Sequence, residues 1–136
     1  MKIFICASKY CYDKVKDIAD KLEQMKHIIT LPNNFDDPFI EERSKLLGDM
    51  EHKRFKSEMF KLQNKKVFDN EAILVLNFDK KGIPNYIGGA VFLEMFKAFE
   101  LGKKVFLFNP IPDNILKDEI EGMDPIIING DLNLIE

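Results

Sequence analysis

Short apolar runs alternate along the chain with longer stretches in which apolar and polar residues recur at helical spacing. The apolar runs predict strands at residues 2–6, 27–31, 72–77, 104–108 and 125–128. Residues 72–77 (AILVLN) are almost wholly apolar, which is typical of a central parallel strand covered on both faces. The pattern therefore favours a sheet with helices on both sides.

The stretch at residues 10–26 has the clearest helical pattern. Its apolar residues Val15, Ile18, Ala19 and Leu22 fall at positions i, i+3, i+4 and i+7, which is one face of an amphipathic helix. Further helices are predicted at residues 89–101 and, shorter, near residues 113–120.

Residues 38–66 predict a highly charged helical segment with a break at Gly48-Asp49. Asp37 is a candidate capping residue, because it precedes a proline at the first helical position. Three apolar residues mark the expected buried side of this segment: Phe55, Met59 and Leu62.

Strands that alternate with helices predict a single α/β domain spanning residues 1–136, a three-layer sandwich around a parallel sheet. Right-handed connections and a change of direction after the second strand favour a flavodoxin-like or Rossmann-like five-stranded sheet in the order 2-1-3-4-5. In such sheets ligands bind at the carboxyl ends of the strands, where the order reverses. This crevice would be lined by residues that follow strands 1 and 3 and by the turn that enters the next helix: Ala7, Ser8, Asn77, Asp79, Tyr86, Gly88 and Gly89.

Composition excludes several other classes. The net charge of −3 is spread over both signs, so no basic stripe indicates a nucleic-acid polymer as partner, and no apolar run is long enough to cross a membrane. Two cysteines and two histidines predict neither a disulfide framework nor a zinc site, and we expect no metal and no cofactor. The N-terminal apolar run is too short for a secretory signal, so we expect a reducing cytoplasm.

The most informative stretch begins at the glycine pair Gly88-Gly89 and contains one carboxylate, Glu94, among apolar residues. Glycines at a helix start let the backbone approach a ligand, and the helix dipole favours an anion there. Because helical side chains lean toward the N-terminus, the Glu94 carboxylate can reach the crevice and be desolvated. The alternative is an ordinary solvated stripe in which Glu94, Lys97 and Glu100 pair on the surface.

Three segments together resemble the nucleoside 2-deoxyribosyltransferase superfamily, which includes deoxynucleoside 5′-monophosphate N-glycosidases. They are ICAS after strand 1, NEAILVLN around strand 3, and YIGGAVFLEMFKAFELGKKVFLF. The resemblance implies that Glu94 is the nucleophile, that Glu71 meets the sugar or the base, and that Ser8 contacts a phosphate. It also implies a nucleoside or nucleoside monophosphate as ligand.

The chemistry implied by the resemblance is a two-step displacement at the anomeric carbon, in which Glu94 forms a glycosyl ester that a second base or water resolves. Glu71 or Asp79 would protonate the departing base. From its place just before the glycines, Tyr86 is a candidate to stack on a base or to hydrogen-bond a sugar, and the alternative is that it covers the edge of the core. The chain departs from the family pattern at Phe96 and at Ala7, so a non-catalytic nucleotide-binding domain of the same fold is the alternative.

The helix at residues 89–101 is apolar nearly all round, which indicates cover from more than the sheet. Relatives in the superfamily often complete their sites across subunits. We therefore expect a homodimer or a larger homo-oligomer.

Overall fold

The computed structural model describes residues 1–136 and contains one all-parallel sheet. Its strands are, in chain order, β1 (Lys2–Cys6), β2 (Ile28–Thr30), β3 (Ala72–Val75), β4 (Lys104–Leu107) and β5 (Ile126–Ile127). They lie side by side in the order β2-β1-β3-β4-β5, which confirms the predicted α/β topology. The order reverses between β1 and β3, so their carboxyl ends form the crevice expected of this fold.

Five α-helices connect or flank the strands: α1 (Tyr12–Gln24), α2 (Ile40–Leu46), α3 (Asp49–Asp69), α4 (Gly89–Glu100) and α5 (Lys117–Gly122). Short 3₁₀ turns occupy Lys9–Cys11 and Leu132–Leu134. Each helix predicted from apolar spacing is present, with ends that differ by a few residues.

The core has two halves because successive residues of a strand point to opposite faces of the sheet. On one face, Ile3 and Ile5 of β1 pack with the buried stripe of α1, including Val15 and Leu22. On the other face, β1 contributes Phe4 and Cys6. These pack in the cluster to which α3, α4 and α5 contribute Val67, Val91, Met95, Ala98 and Ile120. The result is the predicted three-layer sandwich.

The charged segment between β2 and β3 folds as two helices separated by Gly48, whose φ of 116° explains the break predicted there. The predicted cap at Asp37 is wrong. The first helix begins at Ile40, and Asp37 instead forms an ion pair with Arg43.

The predicted buried side of the segment is also partly wrong. Leu62 is 39% exposed, whereas the next residue, Gln63, is buried and donates a hydrogen bond to the Ala90 carbonyl oxygen of α4. The face that packs on α4 therefore runs through Gln63 and Val67, four residues apart, and Leu62 lies outside it.

None of the helices combines the length and the apolar composition that a membrane crossing requires.

Candidate active site

A cavity of about 280 Å³ opens at the carboxyl end of β1, beside the start of α4. Its floor is the chain that leaves β1, and α2, α3 and the loop after β2 cover it. We call this cover, residues 33–63, the roof. The rest of the lining comes from the floor, the loop between β3 and α4, and α4 itself: Ala7, Ser8, Lys9, Tyr10, Tyr12, Lys80, Tyr86, Gly88, Gly89, Ala90, Val91 and Glu94.

Glu94 lies in this cavity and is only 7% exposed. Burial raises the pKa of its carboxyl group to about 7, although the Cys6 thiol as hydrogen-bond donor and the positive charge of Lys66 offset part of the rise. Lys97 does not pair with Glu94, because its ammonium lies 2.9 Å from a carboxylate oxygen of Glu100. The structure therefore excludes the solvated-stripe alternative for Glu94, and half-exposed Phe96 does not line the cavity.

Lys66 of α3 is the cation whose charge lowers the pKa of Glu94. Its ammonium donates a hydrogen bond of 2.9 Å to the Leu31 carbonyl oxygen. Burial lowers the pKa of Lys66, while the negative charge of Glu94 acts in the opposite direction. Lys66 therefore favours the ionised form of Glu94 from outside the cavity lining.

Tyr12, at the start of α1, places a hydroxyl group in the same cavity. That hydroxyl donates a 3.0 Å hydrogen bond to the Asn33 carbonyl oxygen of the roof. Burial, and then the nearby Glu94 carboxylate, raise the pKa of Tyr12. Sequence reasoning did not select Tyr12, since a tyrosine near a strand end more often packs against the core. Its position one helical turn beyond Ser8 was the available signal.

The small residues predicted to line the site do so. Ala7 and Ser8 follow β1, and Gly88 and Gly89 precede and begin α4. Gly88 passes close to a cavity aromatic, because a Cβ atom there would lie 3.1 Å from the Tyr86 hydroxyl oxygen. Tyr86 itself is half-buried and lines the cavity.

Glu71 is not at the cavity. It immediately precedes β3, so it lies at the amino end of the strand, whereas the cavity lies at the carboxyl ends of the sheet. Its exposed carboxylate accepts a 2.7 Å hydrogen bond from the Lys2 backbone N–H and so ties the start of β1 to β3. The structure therefore provides no geometry for a catalytic role of Glu71.

Asp79 and Asn77 also stay outside the cavity, because each organises a loop. The exposed Asp79 carboxylate accepts a 3.0 Å hydrogen bond from the Asn85 backbone N–H. Asn77 is fully buried and donates to the carbonyl oxygens of Asn109 and Pro110, both at 3.0 Å. In return the Asn109 backbone N–H donates to Asn77 at 2.8 Å, so Asn77 joins the ends of β3 and β4.

The roof is apolar inside and held by ion pairs. Phe55, Met59 and Phe60 of α3 supply the apolar wall. Glu41 of α2 lies 3.1 Å from the His52 ring and 3.4 Å from the Lys56 ammonium. Burial would raise the pKa of Glu41, but these partners outweigh it and lower the pKa. Lys9, on the floor, pairs with Glu42 and so joins floor to roof.

This arrangement provides one desolvated carboxylate, a tyrosine hydroxyl and a glycine-lined helix start around a partly open cavity. No group of three or more His, Cys, Asp or Glu side chains is placed to hold a metal ion. The carboxylate can attack an electrophilic carbon or take part in proton transfer. Comparison of the chain with protein-family models, curated proteins and solved structures finds no match.

Proposed function

We propose that this protein cleaves or transfers the N-glycosidic bond of a nucleoside or nucleotide, with Glu94 as the nucleophile. The observation that carries the proposal is the burial of the Glu94 carboxylate inside the cavity, next to the glycine pair that begins α4. The resemblance to the nucleoside 2-deoxyribosyltransferase superfamily supports the same role, because Glu94 is the residue that matches the family nucleophile.

The proposed reaction has two displacements at C1′. A Glu94 carboxylate oxygen forms a bond to C1′ while the C1′–N bond breaks, and the leaving base takes the bonding electrons and a proton from water. The hydroxide left by that water, or a second base that has given its proton to the hydroxide, then attacks C1′, breaks the ester bond and returns Glu94 to the carboxylate form. Two inversions give overall retention of configuration, as in retaining glycosidases.

The cavity supports this chemistry in two ways. The apolar wall of Phe55, Met59 and Phe60 limits water around the carboxylate, which leaves it poorly solvated and reactive. The Lys66 charge counteracts the burial of Glu94, so a substantial fraction remains ionised near neutral pH. We place the reaction in the cytoplasm, where the buried free thiols of Cys6 and Cys11 stay reduced.

The test is release of free base from a panel of deoxynucleosides, ribonucleosides and their monophosphates. We expect wild-type protein to release base from at least one of them and Glu94→Gln to be slower by about 10³-fold or more, as for loss of a nucleophile. Glu100→Gln is the matched control, because Glu100 lies on the same helix but is exposed and pairs with Lys97. Equal rates for wild type and Glu94→Gln contradict the proposal.

A second candidate is a non-catalytic nucleotide-binding domain. It is favoured by the positions of Glu71 and Asp79, since neither carboxylate reaches the cavity to protonate a leaving base. The remaining cavity acid, Glu41, is engaged by His52 and Lys56. Binding of a nucleotide without release of base from any member of the panel would favour this candidate.

A further inference from the structure

The mouth of the cavity contains a lysine held between two aromatic rings. The Lys80 ammonium lies 4.3 Å from the ring centroid of Tyr10 and 4.4 Å from that of Tyr86. All three residues line the cavity. Each ring face attracts the cation, so the tyrosines fix the position of an otherwise flexible side chain.

The backbone of Lys80 is fixed as well. Lys80 and Ile83 exchange backbone hydrogen bonds of 3.0 and 2.9 Å across a tight turn. Lys81 and Gly82, at the centre of the turn, have φ values of 48° and 80°, as in a type I′ hairpin turn. The Tyr86 backbone N–H then donates a 3.0 Å hydrogen bond to the Phe78 carbonyl oxygen, which closes the loop over the mouth. These backbone hydrogen bonds therefore hold the loop that carries Lys80 in a defined conformation.

Lys80 also differs in charge balance from the other cavity lysines. Lys9 pairs with Glu42, and Lys56 pairs with Glu41. No carboxylate lies within ion-pair distance of Lys80, and the adjacent Asp79 accepts a hydrogen bond from the Asn85 backbone. The cavity thus has one lysine whose positive charge is positioned but not neutralised by the protein.

We propose that Lys80, held by Tyr10 and Tyr86, is a specificity-determining residue that binds an anionic phosphate group of the ligand at the mouth of the cavity. This inference rests on the proposed function, because it makes the preferred ligand a phosphorylated nucleoside. A phosphate beside Lys80 would gain a charge-assisted hydrogen bond, while the ring faces of Tyr10 and Tyr86 would continue to hold the ammonium.

The test measures equilibrium binding by calorimetry to the Glu94→Gln protein, so that no ligand is consumed. The ligands are a deoxynucleoside, its 5′-monophosphate and inorganic phosphate. We expect Lys80→Met to weaken binding of the monophosphate by about 10- to 100-fold, as for loss of a hydrogen bond to a charged group. Binding of the uncharged deoxynucleoside should stay the same.

Lys81→Met is the matched control, because it removes the same charge from the next residue of the same turn and Lys81 does not line the cavity. The Lys81 ammonium lies 5.4 Å from the Tyr10 ring centroid, farther than that of Lys80, and only Lys80 also lies over Tyr86. It should change binding of the monophosphate by less than about fivefold, as for an exposed charge. Equal losses in the Lys80 and Lys81 variants, or equal losses for the deoxynucleoside and its monophosphate, overturn the proposal.

Two further outcomes separate this inference from the proposed function. Binding of inorganic phosphate that depends on Lys80, without binding of either nucleoside ligand, supports the anion site and contradicts the nucleoside reaction. Binding and turnover of the deoxynucleoside with no preference for its monophosphate supports the reaction and overturns the role of Lys80.

Discussion

At the scale of single residues, the burial of Glu94 has the largest physical consequence, because a carboxylate in an apolar cavity destabilises the fold when it ionises. Its pKa is about 7 in the folded protein, against 4.5 for an unperturbed glutamate. Between these two values the folded state keeps a proton that the unfolded state releases. The free energy of unfolding therefore falls as the pH rises through this window and levels off above it.

Replacement of Glu94 by glutamine should remove this pH dependence, because the amide is neutral at every pH. We expect Glu94→Gln to be more stable than wild type by about 3 kcal/mol at pH 8, an order-of-magnitude value from 1.36 kcal/mol per pKa unit. The difference should shrink toward zero near pH 4. Urea unfolding at several pH values measures it, and two parallel curves across this range would show that Glu94 is solvated.

The contrast between Glu94 and Glu71 shows what sequence can predict about single residues. Helical geometry allowed Glu94 to reach the strand ends, but it left open a solvated stripe with Lys97 and Glu100, which only the burial of Glu94 excludes. Strand direction argues against Glu71, because a residue that precedes a parallel strand lies at the opposite edge from the ligand crevice. The family resemblance suggested Glu71 despite this. The roles of Asn77 and Asp79 depend on distant hydrogen-bond partners, which no local pattern reveals.

At the scale of elements, α2 and α3 form a roof whose shape depends on Gly48. This residue has φ of 116° and ψ of 167°, a combination that is open almost only to glycine. The sequence indicated the break correctly from the Gly-Asp pair. It did not indicate that the two helices cover the cavity, because that depends on packing of Gln63 and Val67 against the sheet and α4.

Gly48→Ala should therefore destabilise the protein by about 1–3 kcal/mol, the usual cost of a strained backbone conformation. The matched control is Gly122→Ala, because Gly122 lacks a positive φ and a Cβ atom at either glycine would meet nothing within 4 Å. The control should be neutral or slightly stabilising. Urea unfolding midpoints compare the two, and an equal effect would place the strain elsewhere.

At the scale of the whole molecule, the layers followed from hydrophobic periodicity, because each buried strand and each amphipathic helix has a distinct repeat. The strand order followed from right-handed connections and a change of direction after the second strand. Some apolar residues of the helices also remain exposed on the surface of the molecule. Leu93, Phe96 and Phe99 on α4 are each close to half exposed, and Phe68 of α3 is 66% exposed. This apolar face supports the expectation of a homodimer, since such surfaces commonly mark interfaces.

We predict that the protein has twice its chain mass of 15.8 kDa in light scattering at micromolar concentration. Phe96→Glu should reduce the mass to that of one chain, because it places a charge in the apolar interface. Phe39→Glu is the control, since Phe39 is also an exposed phenylalanine, at 61%, but it precedes α2 and is not part of α4. A wild-type mass of 15.8 kDa would contradict the dimer.

The roof is encoded by one uninterrupted stretch of chain between β2 and β3, whereas Glu94 is encoded after β3. Changing the residues of that stretch that face the cavity, and keeping Gln63 and Val67, would reshape the space over the carboxylate without changing the sheet or α4. The walls that α2 and α3 give the cavity can therefore vary by substitution within one contiguous stretch of chain, while Glu94 stays in place on α4.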